Sequence, residues 1–198
     1  MKIKLTNVRI SFPSLFHTAE FGGQDTGKFG AEFLLDKKED IAQIKAFGEA
    51  MKVVAKEKWP NGLQGQPLPS KDKLCIKDGK DKERDGFENV YIVKASTDVE
   101  PSVVDQARQP ITNERKVYAG CRVNGVIDIW AQDNKFGKRI NARLLGVQFV
   151  KDDTPFGSTF DPQSEFDVIE GSTQANDDIF GDAGTPNYEN IPDESLPF

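Results

Sequence analysis

Aromatic and basic side chains lie close together at several points in the first 150 residues. The pairs are Arg9 with Phe12, Tyr91 with Lys94, Tyr118 with Arg122, Trp130 with Arg139, and Phe136 with Lys138. A flat ring can stack on an exposed base for roughly 1–3 kcal/mol, while a neighbouring cation follows the phosphates. The pattern predicts a surface for single-stranded DNA, although an aromatic residue taken alone is more often part of a core.

Three aromatic residues are the best candidates for stacking. Trp130 and Tyr118 have charged or small strand neighbours, and Phe136 lies in a loop between Lys135 and Lys138. Lys4 and Arg143 join the basic set because each lies in a predicted strand. The complete predicted DNA-binding set is Lys4, Arg9, Phe12, Tyr91, Lys94, Tyr118, Arg122, Trp130, Phe136, Lys138, Arg139 and Arg143.

Catalytic and cofactor motifs find little support. The stretch from Gly22 to Lys28 resembles a phosphate-binding loop, but Phe29 replaces the Ser or Thr that would hold Mg²⁺, and a strand follows instead of a helix. His17 is the single histidine and no nucleophile signature accompanies it, so a Ser-His or Cys-His hydrolase has little support. No convergent set of carboxylates suggests a two-metal nuclease. We therefore predict no catalytic residue, no metal and no cofactor, and a protein that is not an enzyme.

Charge divides the chain into two parts. Residues 1–151 hold all 26 basic residues and 20 of the 32 acidic ones, a net charge of +6. Residues 152–198 carry 12 acidic residues and no Lys or Arg. This asymmetry favours a body that binds a polyanion and a tail that imitates it. We predict a DNA-binding domain over 1–151 and a flexible acidic tail over 152–198.

The chain ends in a compact recognition element. Its predicted partner-binding residues are Asp193, Glu194, Leu196, Pro197 and Phe198. The apolar side chains can fill a pocket while the carboxylates meet Lys or Arg around it. The element resembles the acidic tip of bacterial single-stranded DNA-binding proteins, which recruits replication and repair proteins. A solvated tail that only maintains solubility is the alternative.

The elements that would position these residues form a mainly β pattern. Residues 3–12 alternate as a strand, with a change of phase at Asn7-Val8 that indicates a bulge. Residues 37–58 are the one convincing helix, with Asp36 and Glu39 as a capping box and Ile41, Ile44, Phe47, Met51, Val54 and Ala55 as its apolar stripe. Other strands are predicted over 29–35, 73–77, 89–97, 116–123, 126–132 and 139–150. A loop joins the first two strands, a solvated one covers 60–89, and a connection covers 101–110.

Two hairpins are predicted near the end of the body. Asn124-Gly125 is a strong turn signal between the strands at 116–123 and 126–132. A loop at 133–137, with Gln132 paired to Gly137, would set Ile129 beside Ile140 and Trp130 beside Arg139. The second pairing would give one apolar face and one face that mixes an aromatic ring with arginines.

About five strands, one helix and a polar tail predict an OB-fold-like Greek-key barrel with a disordered acidic C-terminal tail. A β-sandwich remains an alternative. Cys75 and Cys121 match no metal spacing and fit free thiols in a reducing cytoplasm. No apolar run approaches the roughly 18 residues of a membrane span, and the start has no signal peptide. We expect a soluble protein that contacts no membrane.

Six segments of the body carry a resemblance to a known family. They are Asn7–Phe16, Lys73–Gly79, Lys94–Ser96, Pro101–Asp105, Val117–Cys121 and Gly146–Gln148. These segments are similar to a family of tailed-phage proteins first catalogued as a domain of unknown function. The resemblance implies an OB fold, single-stranded DNA binding, and the cytoplasm of an infected bacterium as the site of action. It transfers no defined ligand motif, so the DNA-contacting residues above depend on the residues themselves.

The function predicted at this stage is that of a phage single-stranded DNA-binding protein. It would coat and protect exposed strands without sequence preference during replication or recombination. Its tail would compete with DNA and recruit replication or recombination proteins. The alternative is a protein-interaction or DNA-mimic protein that acts on a host DNA-binding protein, and a nuclease ranks third. The sequence leaves open whether the chain is a monomer or a homodimer.

Overall fold

The chain folds into strands of a curved sheet and one α-helix. The structure, a computed structural model, describes residues 1–62, 68–82 and 86–157. The strands within these ranges are β1 (Lys2–Ser14), β2 (Glu20–Phe21), β3 (Gln24–Asp25), β4 (Phe29–Asp36), β5 (Ile76–Asp78), β6 (Val90–Thr97), β7 (Ser102–Val104), β8 (Arg122–Asn134) and β9 (Gly137–Lys151). The helix, α1, spans Ile41–Lys58 between β4 and β6.

Five of the strands close into a barrel. β1 pairs antiparallel with β4 and β8, β4 pairs with β6, and β8 pairs with β9. Ser96 of β6 then lies beside Arg143 of β9 in parallel, which completes the ring. This order, with a long connection carrying the helix, is the Greek-key arrangement of an OB-type barrel. The predicted fold class is confirmed.

The barrel encloses one main core. Its largest fully buried side chains are Phe33, Phe47, Leu5, Ile10, Leu15, Leu35, Ile127, Ile129, Ile140, Leu144 and Val8. The pairing of β1 with β8 shifts between Leu5 and Val8, and Asn7 has a φ of 53°. The bulge predicted at Asn7-Val8 is therefore confirmed. It bends β1, which pairs with β8 along its first part and with β4 along its second part.

The helix packs on the barrel through Phe47, Ala50, Met51, Val54 and Ala55. The predicted apolar stripe is thus core, except that Ile41 is 47% exposed at the first turn. The predicted start of the helix, at residue 37, was wrong, because the helix begins at Ile41.

The Asp36 carboxylate accepts hydrogen bonds from the backbone N–H groups of Lys38 and Glu39, at 2.7 and 3.0 Å. These bonds form a turn that precedes the helix, which begins at Ile41 with Asp40 as its N-cap residue. Asp36 and Glu39 therefore do not form a capping box.

The hairpin predicted at Asn124-Gly125 is also wrong, because β8 runs straight through both residues. The Asn124 side chain accepts from the backbone N–H of Asn7 at 2.9 Å and so supports the bulge in β1. A Cβ on Gly125 would lie 2.5 Å from the Phe33 ring. The glycine makes room for a core ring and does not form a turn. The strand predicted over 116–123 is absent accordingly, since 114–116 is a 3₁₀ turn and β8 begins at Arg122.

The β8–β9 hairpin exists, with a register two residues from the predicted one. Gln132 pairs with Arg139 and Asn134 pairs with Gly137, which leaves a two-residue turn. Trp130 therefore lies beside Asn141, and Ile129 beside Ala142. An even shift keeps each side chain on its face, so the predicted division into an apolar inner face and a mixed outer face holds.

Several short elements were missed or displaced in the prediction. The loop between the first two strands contains the β2–β3 hairpin, and the connection after Pro101 contains β7, which pairs in parallel with β9. The strand predicted over 73–77 is β5 at Ile76–Asp78, preceded by a 3₁₀ turn. No helix in the described part of the chain is long and apolar enough to cross a membrane.

The contact between Gly125 and Phe33 gives a stability prediction. Gly125→Val should lower the free energy of unfolding by about 3 kcal/mol, because the branched side chain would have to displace a fully buried ring. Urea denaturation measures the change. Gly48→Ala is the matched control, since a Cβ at this helical position meets no atom within 4 Å and should stabilise by about 0.5–1 kcal/mol. An unchanged midpoint for Gly125→Val would contradict the packing described.

Candidate nucleic-acid interface

A groove of about 1180 Å³ crosses the outer face of the barrel over β4, β6, β9 and β8. The segment around residues 72–77 forms one wall. The basic residues that line the groove are Lys28, Lys73, Lys77, Lys82, Lys94, Arg139 and Arg143, and the acidic ones are Glu32, Asp72, Asp98 and Asp128. Its lining therefore carries a net charge of +3.

The β8–β9 hairpin places an aromatic ring in the groove. Trp130 is 43% exposed, on the face opposite the buried Ile129. Arg139 and Arg143 lie on the same outer face of β9, and Lys94 approaches from β6. The structure thus brings together Trp130, Lys94, Arg139 and Arg143 from the predicted set. A ring bordered by cations is the arrangement that stacking on bases and neutralisation of phosphates require.

The groove's carboxylates are already neutralised by cations. Asp128 lies between the Met1 ammonium group at 2.8 Å and the Arg143 guanidinium at 3.0 Å. These hydrogen bonds, that of the ammonium group first, hold the pKa of Asp128 below its usual value. Glu32, 8% exposed, receives Lys82 at 2.7 Å.

The two remaining acids follow the same pattern. Asp98 pairs with Lys28 at 2.6 Å, and Asp72 pairs with Lys73 at 3.3 Å. Among the described residues, Lys94 and Arg139 have no such carboxylate partner. Their charges are available to a ligand.

The groove wall is a part of the chain that sequence reasoning treated as a solvated loop. Leu74 bridges to Ile140, and the Cys75 carbonyl accepts from the backbone N–H of Lys94 at 2.9 Å. Burial raises the pKa of the Cys75 thiol to about 12, so this thiol stays protonated. The groove residues that the prediction missed are Lys28, Lys73, Lys77 and Lys82. The available signal was the density of lysine between 71 and 82.

A second group of predicted residues lies against the segment 153–156, which we call the strap. Arg122 Nε contacts the Asp153 carboxylate at 2.7 Å, and Tyr118 donates to the Asp153 carbonyl at 2.9 Å. The hydrogen bond from Arg122 lowers the pKa of Asp153. Burial raises the pKa of Tyr118.

The strap also holds Arg9. This guanidinium lies 4.0 Å from the centre of the Phe156 ring and donates to the carbonyls of Gly120 and Thr154. Gly120 has a φ of 111°, and a Cβ there would lie 2.4 Å from the Thr154 oxygen. Arg9, Tyr118 and Arg122 are therefore engaged by the chain itself and do not line the groove.

The other five predicted residues are dispersed. Lys4 is exposed opposite Val126, and Tyr91 lies 4.9 Å from the Lys37 ammonium group. Phe12 is 50% exposed, with Lys82 at 5.7 Å from its ring.

Phe136, 66% exposed, occupies the β8–β9 turn with Lys135 at 5.1 Å, and Lys138 lies 5.6 Å from the Trp59 ring. None of these five residues lines the groove. The predicted partner-binding residues 193–198 lie outside the described residues, so their placement stays a prediction.

The sequence matches a known protein family over most of its length. The sequence model of one family, described as the single-stranded DNA-binding protein of Enterobacter phage Enc34, matches residues 1–180. The chain belongs to this family. A relative in Acyrthosiphon pisum secondary endosymbiont phage 1, a protein named p50, is 37% identical over 177 residues, which is 85% of this chain and 94% of p50.

Solved structures of the Enc34 family show the same architecture. The single-stranded DNA-binding protein from bacteriophage Enc34, in complex with single-stranded DNA, is 34% identical with a TM-score of 0.67. The alignment covers 79% of this chain and 89% of the Enc34 chain. The crystal structure of gp2.5, a single-stranded DNA-binding protein encoded by bacteriophage T7, has a TM-score of 0.50 at 11% identity over 81% of this chain and 97% of gp2.5. The T7 protein thus shares the fold with this member of the Enc34 family.

Proposed function

We propose that this protein binds single-stranded DNA without sequence preference and coats and protects it during phage replication or recombination. It acts as a binding protein and not as an enzyme, in the cytoplasm of the infected host. The observation that carries the proposal is Trp130, a half-exposed ring in a groove lined by Lys94, Arg139 and Arg143. Membership of the Enc34 family supports it independently.

Binding in the groove follows from two kinds of contact. An unstacked base lies on the Trp130 ring, and the phosphates on either side meet the cations of β6 and β9. A duplex presents the same phosphates but hides the faces of its bases in the stack. The ring therefore selects for single strands, while the cations supply affinity without reading sequence.

The acidic tail adds regulation to this proposal. Residues 158–198, which follow the strap, carry ten acidic residues and no basic ones, so they could occupy a cationic groove in place of DNA. A flexible segment of about 40 residues has a root-mean-square span of roughly 35 Å. A folded body of about 150 residues has a radius of gyration of about 15 Å, so such a segment can reach any of its faces. DNA would displace the tail and free Leu196, Pro197 and Phe198 to recruit a replication or recombination protein.

A fluorescence titration tests the binding function. Oligo-dT should quench Trp130 emission, and matched duplex should bind at least about tenfold more weakly, since it exposes no base faces. Affinity should fall steeply between about 50 and 200 mM salt, because each phosphate contact releases counterions.

The second tryptophan provides the control. Trp59 is 7% exposed and donates to Asp133 at 2.9 Å, so a Trp130→Phe variant should retain emission that DNA does not quench. Equal affinity for duplex and single strand would refute the proposal, and absence of quenching by oligo-dT would favour a DNA-mimic role. Cleavage that depends on a divalent metal would instead reveal a nuclease.

A further inference from the structure

One end of the groove carries an acidic surface with exposed apolar side chains. This acidic end consists of Glu20, Phe21, Asp25, Asp98, Val99 and Glu100. Phe21 is 84% exposed on the β2–β3 hairpin, and Val99 is 73% exposed after β6. The hairpin is joined to the groove at Lys28, whose carbonyl accepts from the backbone N–H of Ala19 at 2.7 Å and whose ammonium group contacts Asp98 at 2.6 Å.

A basic surface borders the opposite end of the groove. This basic end consists of Lys56, Lys58, Lys135, Phe136 and Lys138. Phe136 is 66% exposed at the β8–β9 turn, and Lys138 lies 5.6 Å from the ring of Trp59, which follows Lys58 directly. Counting the neighbouring Glu57 and Asp133, the basic end has a net charge of +2. The acidic end has a net charge of −3 when Lys28 is included.

Strand pairing fixes the separation of the two ends. β6 and β9 run parallel, with Ser96 beside Arg143. Phe136 lies seven residues before Arg143, and Val99 lies three residues after Ser96, in the opposite direction along the strands. At about 3.3 Å per residue the two ends are roughly 30 Å apart, one at each end of the groove.

We propose that the acidic end of one protein docks on the basic end of a second copy bound next to it on the same DNA strand. This inference depends on the proposed function, because DNA in the groove aligns successive copies. Opposite charges meet, and the two exposed phenylalanines are removed from water together. The contact is heterologous and does not close, so it extends along the strand as an array.

The chemistry of the acidic end excludes DNA as its partner. The acidic end carries four carboxylates and one ammonium group, that of Lys28, and this net negative charge would repel phosphates. Each end comprises only five or six residues, whereas specific stable interfaces usually use about 20–30 residues on each side, so the contact alone would not hold a dimer in solution. Adjacent sites on one strand instead hold the two copies at an effective concentration on the order of millimolar, which suffices for a weak contact.

The test compares one-site and many-site DNA with the full-length protein. A short dT oligomer holds one copy, since OB folds cover about 4–16 nucleotides, and a long dT oligomer holds several. The affinity per site should be at least about tenfold higher on the long oligomer for the unaltered protein.

Phe21→Ala should abolish this length dependence and leave the affinity for the short oligomer unchanged. Ile41→Ala, which removes a comparably exposed apolar side chain at the start of α1, should preserve both. A Phe21→Ala variant that loses affinity for short and long DNA alike would overturn the docking proposal, because Phe21 would then contact DNA.

Charge-reversal variants give the decisive test of docking between the acidic and basic ends. Glu20→Lys with Glu100→Lys makes both ends basic, and Lys56→Glu with Lys58→Glu makes both ends acidic. Each variant alone should lose the length dependence, and an equimolar mixture should recover it by alternating along the strand. Failure of the mixture, or equal affinity per site for the unaltered protein, overturns head-to-tail docking alone. Absence of binding to either oligomer refutes the proposed function.

Discussion

Trp130→Ala should lower the affinity for single-stranded DNA by roughly 10- to 100-fold, because a base–aromatic stack contributes about 1–3 kcal/mol. The fold should survive, since the indole is 43% exposed and the core contact at this point of β8 is made by Ile129. Trp130→Phe should keep most of the affinity, because it retains a flat ring. Fluorescence anisotropy with labelled dT measures both variants, and thermal unfolding confirms that they are folded.

Removing cations from the same groove should make the affinity for single-stranded DNA less sensitive to salt. Arg139→Ala combined with Arg143→Ala removes two of the proposed phosphate contacts and should reduce the slope of log affinity against log salt by about 1.4 units, since each contact with a single strand contributes about 0.7. Lys45→Ala with Lys52→Ala, on the exposed face of α1, is the charge-matched control and should leave the slope nearly unchanged. If the Trp130 and arginine variants bind normally while Tyr91 or Phe12 variants fail, DNA lies on another face of the barrel.

The outer face of the β8–β9 hairpin could be predicted because it depends on a local property. Alternation along a strand has a period of two, so Trp130 and Arg143 fell on one face even though the register was displaced by two residues. The same locality explains why the barrel and the position of most strands followed from the sequence. The displacement arose because turn length is not encoded by the apolar pattern, and the hairpin uses two turn residues where four were expected.

The errors in the fold arose where a distant contact overrides a local preference. Asn124-Gly125 has the composition of a turn, but Phe33 from another strand requires a residue without a Cβ at Gly125. Asn124 is in turn recruited by the bulge at Asn7, 117 residues away in sequence. Neither contact has a signature within a short window of sequence.

The residues that line the groove were predicted in part for the same reason. Lys94, Trp130, Arg139 and Arg143 meet because they lie on neighbouring strands of the barrel. Lys82 lies in the groove, where it contacts Glu32, which is 50 residues away in sequence. Aromatic and basic residues close in sequence, such as Tyr118 and Arg122, can instead contact the strap. Sequence spacing alone does not identify the face of the barrel on which a side chain lies.

The strap sets the point at which the acidic tail should be removed to test its proposed competition with DNA. Asp153, Thr154 and Phe156 hold Arg9, Tyr118 and Arg122, so a truncation before them would disturb the barrel. A variant that ends at residue 157 keeps these contacts and removes ten acidic residues and no basic one.

Controls separate the charge of the tail from its other properties. Replacing its ten carboxylates after residue 157 by the corresponding amides should reproduce the effect of truncation at nearly constant length. Removing Phe198 alone should leave DNA affinity nearly unchanged, since it eliminates no side-chain charge, and should abolish capture of a replication or recombination protein.

Truncation after residue 157 should raise the affinity for single-stranded DNA by about tenfold or more at low salt, because a tethered competitor acts at an effective concentration on the order of millimolar. The gain should shrink as salt rises, since at about 1 M the Debye length is only about 3 Å and the carboxylates no longer sense the groove. Titrations of both chains with oligo-dT at a series of salt concentrations measure the two slopes. Identical affinities at low salt would contradict self-competition and would make the tail a solvated tether, leaving the groove and Trp130 as the complete DNA-binding machinery.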